Sequence, residues 1–259
     1  MLLVIDVGNS HSVFGLYRGR TLVQCWRLST SRHRTSDEYG ILVRQLFETA
    51  GLDPGGIEGC IIACVVPPML PIVVEMVKRY ADLEPLVVGP GIRTGMPILM
   101  EQPREVGADR IVNAVAAYDR YDDAVIVVDF GTATTFDAVS GRGEYLGGII
   151  CPGIAISAEA LFQRASKLPR VEIVRPSRVI GRNTVACIQS GLVFGYVGLI
   201  EGLVTRIRDE VGSPDMKVIA TGGLSRLFAE ESSLIDAHDE NLTLSGLRLL
   251  YERNVRDPE

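Results

Sequence analysis

The pattern of apolar and polar positions at the start of the chain predicts a β-hairpin. Apolar residues 2–5 form a run that ends at Asp6, and apolar residues resume at Val13 after a turn of small and polar residues. Two strand-like runs joined by a turn of Gly, Asn and Ser are typical of a hairpin. Such a turn offers backbone N–H groups to a phosphate, and Asp6 at the strand end can hold Mg²⁺ or its waters. An ordinary surface hairpin, with Asp6 and Asn9 serving only the turn, is the alternative.

A second stretch with the same pattern begins 123 residues further along the chain. An internal repeat of this kind is stronger evidence than either motif alone. It predicts a duplicated α/β unit whose two turns face each other, and it resembles the superfamily of acetate and sugar kinases, heat-shock ATPases and actin. The resemblance implies an actin-like ATPase fold of two lobes with mixed sheets flanked by helices. Laid on the first stretch without gaps, the second places Asp129 on Asp6, Gly131 on Gly8, Thr132 on Asn9 and Phe136 on Val13.

The rest of the chain alternates strand patterns with helical ones, which favours an α/β fold. We expect two lobes, residues 1–121 and 122–259. Ser36 or Asp37 is expected to cap the first helix, and Asn183 or Thr184 is expected to start the longest one. Further strands are predicted at 21–28, 60–66, 86–88, 145–150 and 217–220, and helices up to residue 50, at 67–80, 111–121, 154–168 and 185–211, after Gly223 and near the C-terminus.

Composition narrows the class of protein. The chain has 259 residues, of which 47% are hydrophobic and 22% charged, as in a well-buried soluble protein. Its net charge of −6 argues against a nucleic-acid or anionic-membrane binder. We expect no membrane-spanning stretch and no signal peptide, which makes the cytoplasm the expected location.

Several familiar sites are missing from the sequence. The five cysteines and three histidines are too scattered for a zinc site or a catalytic Cys-His pair, so buried, reduced thiols are expected. Three lysines are present, and none follows a phosphate-binding Gly-x-x-x-x-Gly-Lys pattern. The Rossmann Gly-x-Gly-x-x-Gly pattern is also missing after the first strand. Nucleotide chemistry must therefore use the paired hairpins.

A further candidate lies at the start of a predicted helix. Helical periodicity begins at Ile111, so Asp109 and Arg110 lie in or near its first turn. A carboxylate at that position is favoured by the helix dipole and is expected to stay ionised at neutral pH. A capping aspartate paired with an arginine is the alternative to a catalytic role.

Six segments in this order make the chain resemble type III pantothenate kinase over essentially its full length. Any one of them can occur by chance, whereas the ordered set is specific. The matching segments are Asp6-Val-Gly-Asn-Ser10, Pro103-Arg-Glu-Val-Gly-Ala-Asp-Arg110, Asp129-Phe-Gly-Thr-Ala-Thr-Thr135, Gly147-Gly-Ile-Ile-Cys-Pro-Gly153, the turn 181–184 and Thr221-Gly-Gly223.

The resemblance implies that ATP phosphorylates the 4′-hydroxyl of pantothenate, the first step towards coenzyme A. It implies Mg²⁺ and a monovalent cation, K⁺ or NH₄⁺, as cofactors, and a homodimer. Asp109 is implied as the general base and Asp129 as the ligand of the monovalent cation, while Asp6 holds Mg²⁺ through phosphates or water. ATP is implied to contact Asp6, Val7, Gly8, Asn9, Ser10, His11, Ser12, Val13 and Thr132, and pantothenate to contact Gly107, Ala108, Asp109, Arg110 and Thr184.

The chain also departs from the family pattern. Met100 stands where many relatives carry a tyrosine that lines the pantothenate site, and methionine cannot donate that hydroxyl. Two other functions stay open at this point. An exopolyphosphatase-like hydrolase has paired hairpins but uses water as the acceptor, and an accessory transcription factor resembling the family has lost the catalytic base or gained a basic surface. The presence of Asp6, Asp109 and Asp129 favours the kinase.

Overall fold

The computed structural model describes residues 1–255, in which two five-stranded mixed sheets are flanked by helices. This confirms the predicted α/β fold. The strands are β1 Leu2–Val7, β2 His11–Arg18, β3 Thr21–Ser29, β4 Gly59–Cys64, β5 Leu86–Val87, β6 Val125–Phe130, β7 Ala133–Val139, β8 Tyr145–Pro152, β9 Lys217–Gly222 and β10 Ala237–His238. The helices are α1 Ser36–Thr49, α2 Leu70–Ala81, α3 Ala108–Tyr121, α4 Ile154–Arg164, α5 Thr184–Val211, α6 Ser225–Glu231 and α7 Leu242–Val255.

The two sheets have the same topology. Their strand orders are β3-β2-β1-β4-β5 and, in the same sense, β8-β7-β6-β9-β10. In each sheet an antiparallel hairpin comes first, and a strand that follows a helical crossover then pairs in parallel with the hairpin's first strand. This shared order supports the duplication that the repeated hairpins predict.

The register of the two hairpins differs by one residue. Asp6 pairs with Val13, whereas Asp129 pairs with Thr135. The ungapped correspondence of Phe136 with Val13 is therefore wrong, because the second turn is one residue shorter than the first. A shift of one residue moves a side chain to the other face of a strand, so Thr135, and not Phe136, lies on the face that carries Asp129.

The chain divides into two compact units. Unit 1 comprises residues 1–95, 102–116 and 243–255, and unit 2 comprises residues 96–101 and 117–242. Most of α7 thus belongs with the first sheet. Gly59 leaves room for the ring of Tyr251, and the Tyr17 hydroxyl lies 3.4 Å from Ser245 Oγ. The predicted lobe boundary at residues 121 and 122 remains a prediction.

Each unit has its own hydrophobic core on one face of its sheet. Because side chains alternate along a strand, the neighbours of these core residues point to the opposite face, and this places Asp6 and Asp129 away from the two cores. In unit 1 the core includes Leu3, Ile5, Phe14, Tyr39 and Phe47, and in unit 2 it includes Ile126, Val128, Phe136, Ile200 and Phe228.

Local chemistry sets several helix ends. The cap of α1 is Thr35 rather than Ser36 or Asp37, because its hydroxyl accepts the Glu38 N–H while the Glu38 carboxylate accepts the Thr35 N–H. Helix α5 starts at Thr184, one of its two predicted starts, and the Asn183 side chain caps it by accepting the Ala186 N–H. Helix α4 ends at Arg164, short of the predicted residue 168, and a proline at position 169 disfavours helical backbone just before it.

We expected no stretch long and apolar enough to cross a membrane, but helix α5 is one by length and composition. It has 28 residues, and its most apolar 18-residue window has a mean hydropathy of 1.5. By length and composition this helix meets the criterion for a membrane span, which helices in the cores of soluble proteins also meet.

Candidate active site

The first hairpin turn is held by a hydrogen bond of its own and by hydrogen bonds from Thr30, which follows β3. The Gly8 N–H donates to the His11 carbonyl at 3.0 Å across the turn. The Thr30 hydroxyl donates to the Gly8 carbonyl at 2.7 Å and lies 2.9 Å from Ser12 Oγ, while the Thr30 N–H donates to the Ser10 carbonyl at 3.0 Å. Thr30 therefore braces both sides of the turn. Sequence reasoning missed this residue, because its only signal is a position just after β3.

This bracing determines which atoms of the turn are available to a ligand. The side chains of Asn9, Ser10 and His11 are exposed, and Asp6, Gly8 and Val13 are partly buried. Val7 and Ser12 are fully buried, so their predicted contacts with ATP remain predictions. The turn thus presents backbone amides and small polar groups beside one carboxylate.

The second hairpin has a tighter turn that is packed closely by glycines. The Gly131 N–H donates to the Ala133 carbonyl at 3.1 Å, and Gly131 and Thr132 are exposed. A Cβ on Gly153 would lie 2.1 Å from the Thr132 carbonyl oxygen, so only glycine fits at this position before α4. The predicted segment 147–153 therefore supports the turn that carries Thr132.

Asp129 is held at the end of β6 against the end of β9. Gly222 has a φ of +87°, and a Cβ there would lie 2.6 Å from Asp129 Oδ1 and 2.7 Å from the Phe130 carbonyl oxygen. A carboxylate oxygen and a carbonyl oxygen therefore converge beside Gly222. This all-oxygen donor set suits a hard cation such as K⁺. No group of three or more His, Cys, Asp or Glu residues that could hold a metal ion occurs among residues 1–255.

Asp109 is fixed at the first turn of α3, as the periodicity predicts. Its Oδ1 accepts the Arg110 N–H at 2.8 Å, and the Gly107 carbonyl accepts the N–H groups of Arg110 and Ile111 at 3.1 and 3.2 Å. A Cβ on Gly107 would lie 2.6 Å from Asp109 Oδ1. Glycine at this position therefore leaves space for the carboxylate.

The surroundings of Asp109 raise the pKa of its carboxyl, whereas the helix dipole alone would lower it. Burial raises the pKa of the Asp109 carboxyl above its ordinary range, although the backbone hydrogen bond and charge of Arg110 and the residue's own N–H lower it. A carboxylate with a raised pKa is a stronger base, which suits proton abstraction from an alcohol. Ala108 and Arg110 are partly buried beside it.

The predicted contact Thr184 and the departure from the family pattern at Met100 both lie in unit 2. Thr184 is exposed at the first position of α5, and Gly181 packs against the backbone of Ala186 and Cys187 in the same helix. Met100 lies against Gly147, where a Cβ would be 3.2 Å from the methionine sulfur, and Gly147 has a φ of +128°.

Comparison with known proteins gives a consistent result. The profile of the family described as Type III pantothenate kinase matches residues 2–206. Relatives named Type III pantothenate kinase include those of Anaeromyxobacter sp. strain Fw109-5, 62% identical with 98% of this chain and 100% of the relative covered, and of Myxococcus xanthus, 60% identical with 98% and 99% covered.

Solved structures resemble the chain in fold. Component A of (R)-2-hydroxyglutaryl-CoA dehydratase from Acidaminococcus fermentans has a TM-score of 0.57 at 14% identity, with 98% of this chain and 99% of that chain covered. Inorganic polyphosphate/ATP-glucomannokinase from Arthrobacter sp. strain KM has a TM-score of 0.54 at 13% identity, with 97% and 98% covered. At such identities the likeness concerns the fold alone, and it agrees with the predicted actin-like architecture.

Proposed function

The chain belongs to the type III pantothenate kinase family, and from this premise we propose how its residues carry out the reaction. The enzyme uses ATP to phosphorylate pantothenate at the 4′-hydroxyl, the first step of coenzyme A biosynthesis. The structural observation that carries our assignment of roles is the Asp109 carboxylate, which is partly buried and fixed by the Arg110 N–H.

Asp109 acts as the general base in this proposal. Its carboxylate accepts the proton of the 4′-hydroxyl while the oxygen forms a bond to the terminal phosphorus of ATP and the bond to the ADP oxygen breaks. A positioned base of this kind contributes about 10²–10⁴-fold to the rate. Gly107, Ala108 and Arg110 surround the base and bind pantothenate, and the Arg110 guanidinium is suited to the pantothenate carboxylate.

The first hairpin binds the phosphates of ATP. Residues 6–13 form this site and present the exposed Asn9, Ser10 and His11, and Thr132 is the proposed contact from the second hairpin. Asp6 is a single, partly buried carboxylate at a strand end, which is the arrangement Mg²⁺ uses when it binds through phosphates and water. The metal ions neutralise charge on the transferred phosphoryl group when they are bound.

Asp129 is the proposed ligand of a monovalent cation, K⁺ or NH₄⁺. The convergence of Asp129 Oδ1 and the Phe130 carbonyl oxygen beside Gly222 fits such an ion. A cation there adds positive charge in a chain with three lysines and a net charge of −6. The net negative charge of the chain argues against binding of nucleic acid or an anionic membrane and agrees with small substrates bound at local sites. We place the enzyme in the cytoplasm, in accordance with its five free cysteines.

A homodimer is the proposed assembly, and unit 2 carries the surface that supports it. Only 28% of the apolar window of α5 is buried, and Ile180 is 82% exposed just before that helix. Exposed apolar patches of this kind mark interaction sites. Thr184, the proposed pantothenate contact, lies four residues after Ile180. The other large apolar side chains exposed in this unit include Ile150, Ile156, Leu161, Val179 and Val185.

We expect Ile180→Glu to weaken the dimer, because a charge at that position must lose its water when the surface is covered. Light scattering coupled to size-exclusion chromatography should show a dimer for the native chain and a growing monomer fraction for the variant. Ile41→Glu, which changes an isoleucine 57% exposed on α1, is the matched control and should leave the dimer intact. A monomeric native chain would contradict the proposed assembly.

The function itself is tested by ATP-dependent phosphorylation of pantothenate in KCl and in NaCl at the same ionic strength. We expect turnover that requires pantothenate and is faster with K⁺. Phosphate release from ATP without pantothenate is the control that separates the kinase from a hydrolase. Equal ATP consumption with and without pantothenate would refute the kinase assignment, and equal rates in the two salts would refute the cation requirement alone.

A further inference from the structure

The residues that flank the two strand-end aspartates differ between the two sheets. In unit 1 the neighbours of Asp6 on β2 and β4 are Val13 and Ala63. In unit 2 the neighbours of Asp129 on β7 and β9 are Thr135 and Thr221. Because directly paired residues present their side chains on the same face, Asp129 is flanked by hydroxyls where Asp6 is flanked by hydrocarbon.

This difference corresponds to a difference in cation chemistry. A small divalent ion such as Mg²⁺ retains several waters and needs one or two carboxylates with phosphate oxygens. A large monovalent ion such as K⁺ exchanges its hydration shell for a set of neutral oxygens. The Asp6 row offers one carboxylate, whereas the Asp129 row offers a carboxylate between two hydroxyls. Cβ atoms of directly paired residues on antiparallel strands lie about 4.5–5.5 Å apart, so one ion can contact side chains of both Asp129 and Thr135.

The Thr135 hydroxyl is oriented for this role by a buried carboxylate. Thr135 Oγ1 donates to Asp137 Oδ2 at 3.3 Å, and the Tyr145 hydroxyl donates to Asp137 Oδ1 at 2.6 Å. Asp137 and Tyr145 are fully buried, whereas Asp129 and Thr135 are partly exposed. Because the hydrogen of Thr135 is directed to Asp137, the lone pairs of its oxygen are left for a cation.

We propose that Thr135 and Thr221 are ligands of the monovalent cation beside Asp129, and that Asp137 and Tyr145 act as positioning residues for Thr135. This inference rests on the proposed cation site at Asp129. Asp6 and Asp129 occupy equivalent positions in the duplicated fold, and the residues beside each of them determine whether it binds Mg²⁺ or the monovalent cation.

The first sheet supplies the substitutions for the test. Thr135→Val and Thr221→Ala give the second row the side chains found at Val13 and Ala63, which occupy the corresponding positions of the first sheet. Thr135→Ser retains the hydroxyl. Thr134→Val is the matched control, because Thr134 is a buried neighbour on the opposite face whose hydroxyl has no hydrogen-bond partner within residues 1–255.

The experiment is a titration of the full chain with KCl, balanced by NaCl at constant ionic strength, in the presence of ATP and Mg²⁺. The unfolding temperature and the rate of pantothenate phosphorylation are both recorded. We expect the KCl concentration for half-maximal effect to rise about 10–100-fold in Thr135→Val and Thr221→Ala, the range found when groups supporting a metal site are lost. Thr135→Ser and Thr134→Val should titrate like the native chain.

The outcomes separate this inference from the proposed function. If the native chain responds to KCl and the two threonine variants respond at the same concentrations, the inference is overturned while the cation site at Asp129 stands. If the native chain phosphorylates pantothenate without any response to KCl in either readout, the cation site and this inference are both overturned. A higher KCl requirement in Thr134→Val equal to that of Thr135→Val would also overturn it, because the effect would then not depend on the face of the strand.

Discussion

Asp109→Asn is expected to lower kcat for pantothenate phosphorylation by about 10²–10⁴-fold, because the amide cannot accept the proton of the 4′-hydroxyl. The substitution keeps the shape of the side chain, and the amide oxygen can still accept the Arg110 N–H. Substrate binding should therefore change less than kcat. Steady-state kinetics with both substrates varied will separate the two effects.

The same substitution should stabilise the fold at neutral pH. Burial raises the pKa of Asp109, so the folded chain binds this proton more tightly than the unfolded chain does. Stability therefore falls as the pH rises between the ordinary aspartate pKa and the raised folded value, and the cost persists above that interval. A neutral amide in place of the carboxylate would remove this cost. We expect a higher unfolding temperature for Asp109→Asn at pH 7, and a difference that disappears below the pKa of an unperturbed aspartate.

Activity of the native chain gives an independent check on this base. It should decrease as the pH falls through the raised pKa of Asp109, so the acidic limb of the pH profile lies above the range of an ordinary aspartate. Asp215→Asn removes an exposed carboxylate and is the control for the loss of one negative charge. A variant at Asp109 that is inactive but also strongly destabilised at pH 7 would indicate a structural role and contradict the assignment.

The sequence predicted those parts of the site that depend on local patterns. Both hairpins follow from apolar runs that end in Asp and Gly, and the start of α3 follows from its periodicity. The register of the second hairpin did not follow, because it is set by the turn hydrogen bond from Gly131 to Ala133, and a residue count contains no information on this bond. The sequence therefore did not predict that Thr135 pairs with Asp129.

Long-range contacts account for the other gaps. Thr30 braces a turn that lies about 20 residues earlier in the chain, and Asp137 on β7 accepts a hydrogen bond from Tyr145 on the adjacent strand β8. The burial that dominates the pKa of Asp109 is likewise a property of the packed structure. The position of Asp109 on a helix predicts the dipole contribution alone, which acts in the opposite direction.

Gly222→Ala is expected to damage the Asp129 site through the backbone while leaving every charged group in place. Alanine would occupy a φ of +87° at a cost of about 1–3 kcal/mol in folding free energy. Its Cβ would also lie 2.6 Å from Asp129 Oδ1, so either the carboxylate or the end of β9 must move. We expect a lower unfolding temperature and about 10–100-fold weaker activation by KCl, as for lost support of a metal ligand.

Gly223→Ala is the matched control for this prediction, because a Cβ on Gly223 meets no atom within 4 Å and its φ lies outside the left-handed region. Its unfolding temperature and its KCl titration should stay close to those of the native chain. Two changes of one methyl group in adjacent residues then differ in two ways, because only the methyl at Gly222 strains the backbone and reaches Asp129. If Gly222→Ala unfolds earlier but titrates with KCl like the native chain, the strain is real and Asp129 is not the cation ligand, because a carboxylate displaced from its site cannot bind the ion with unchanged affinity.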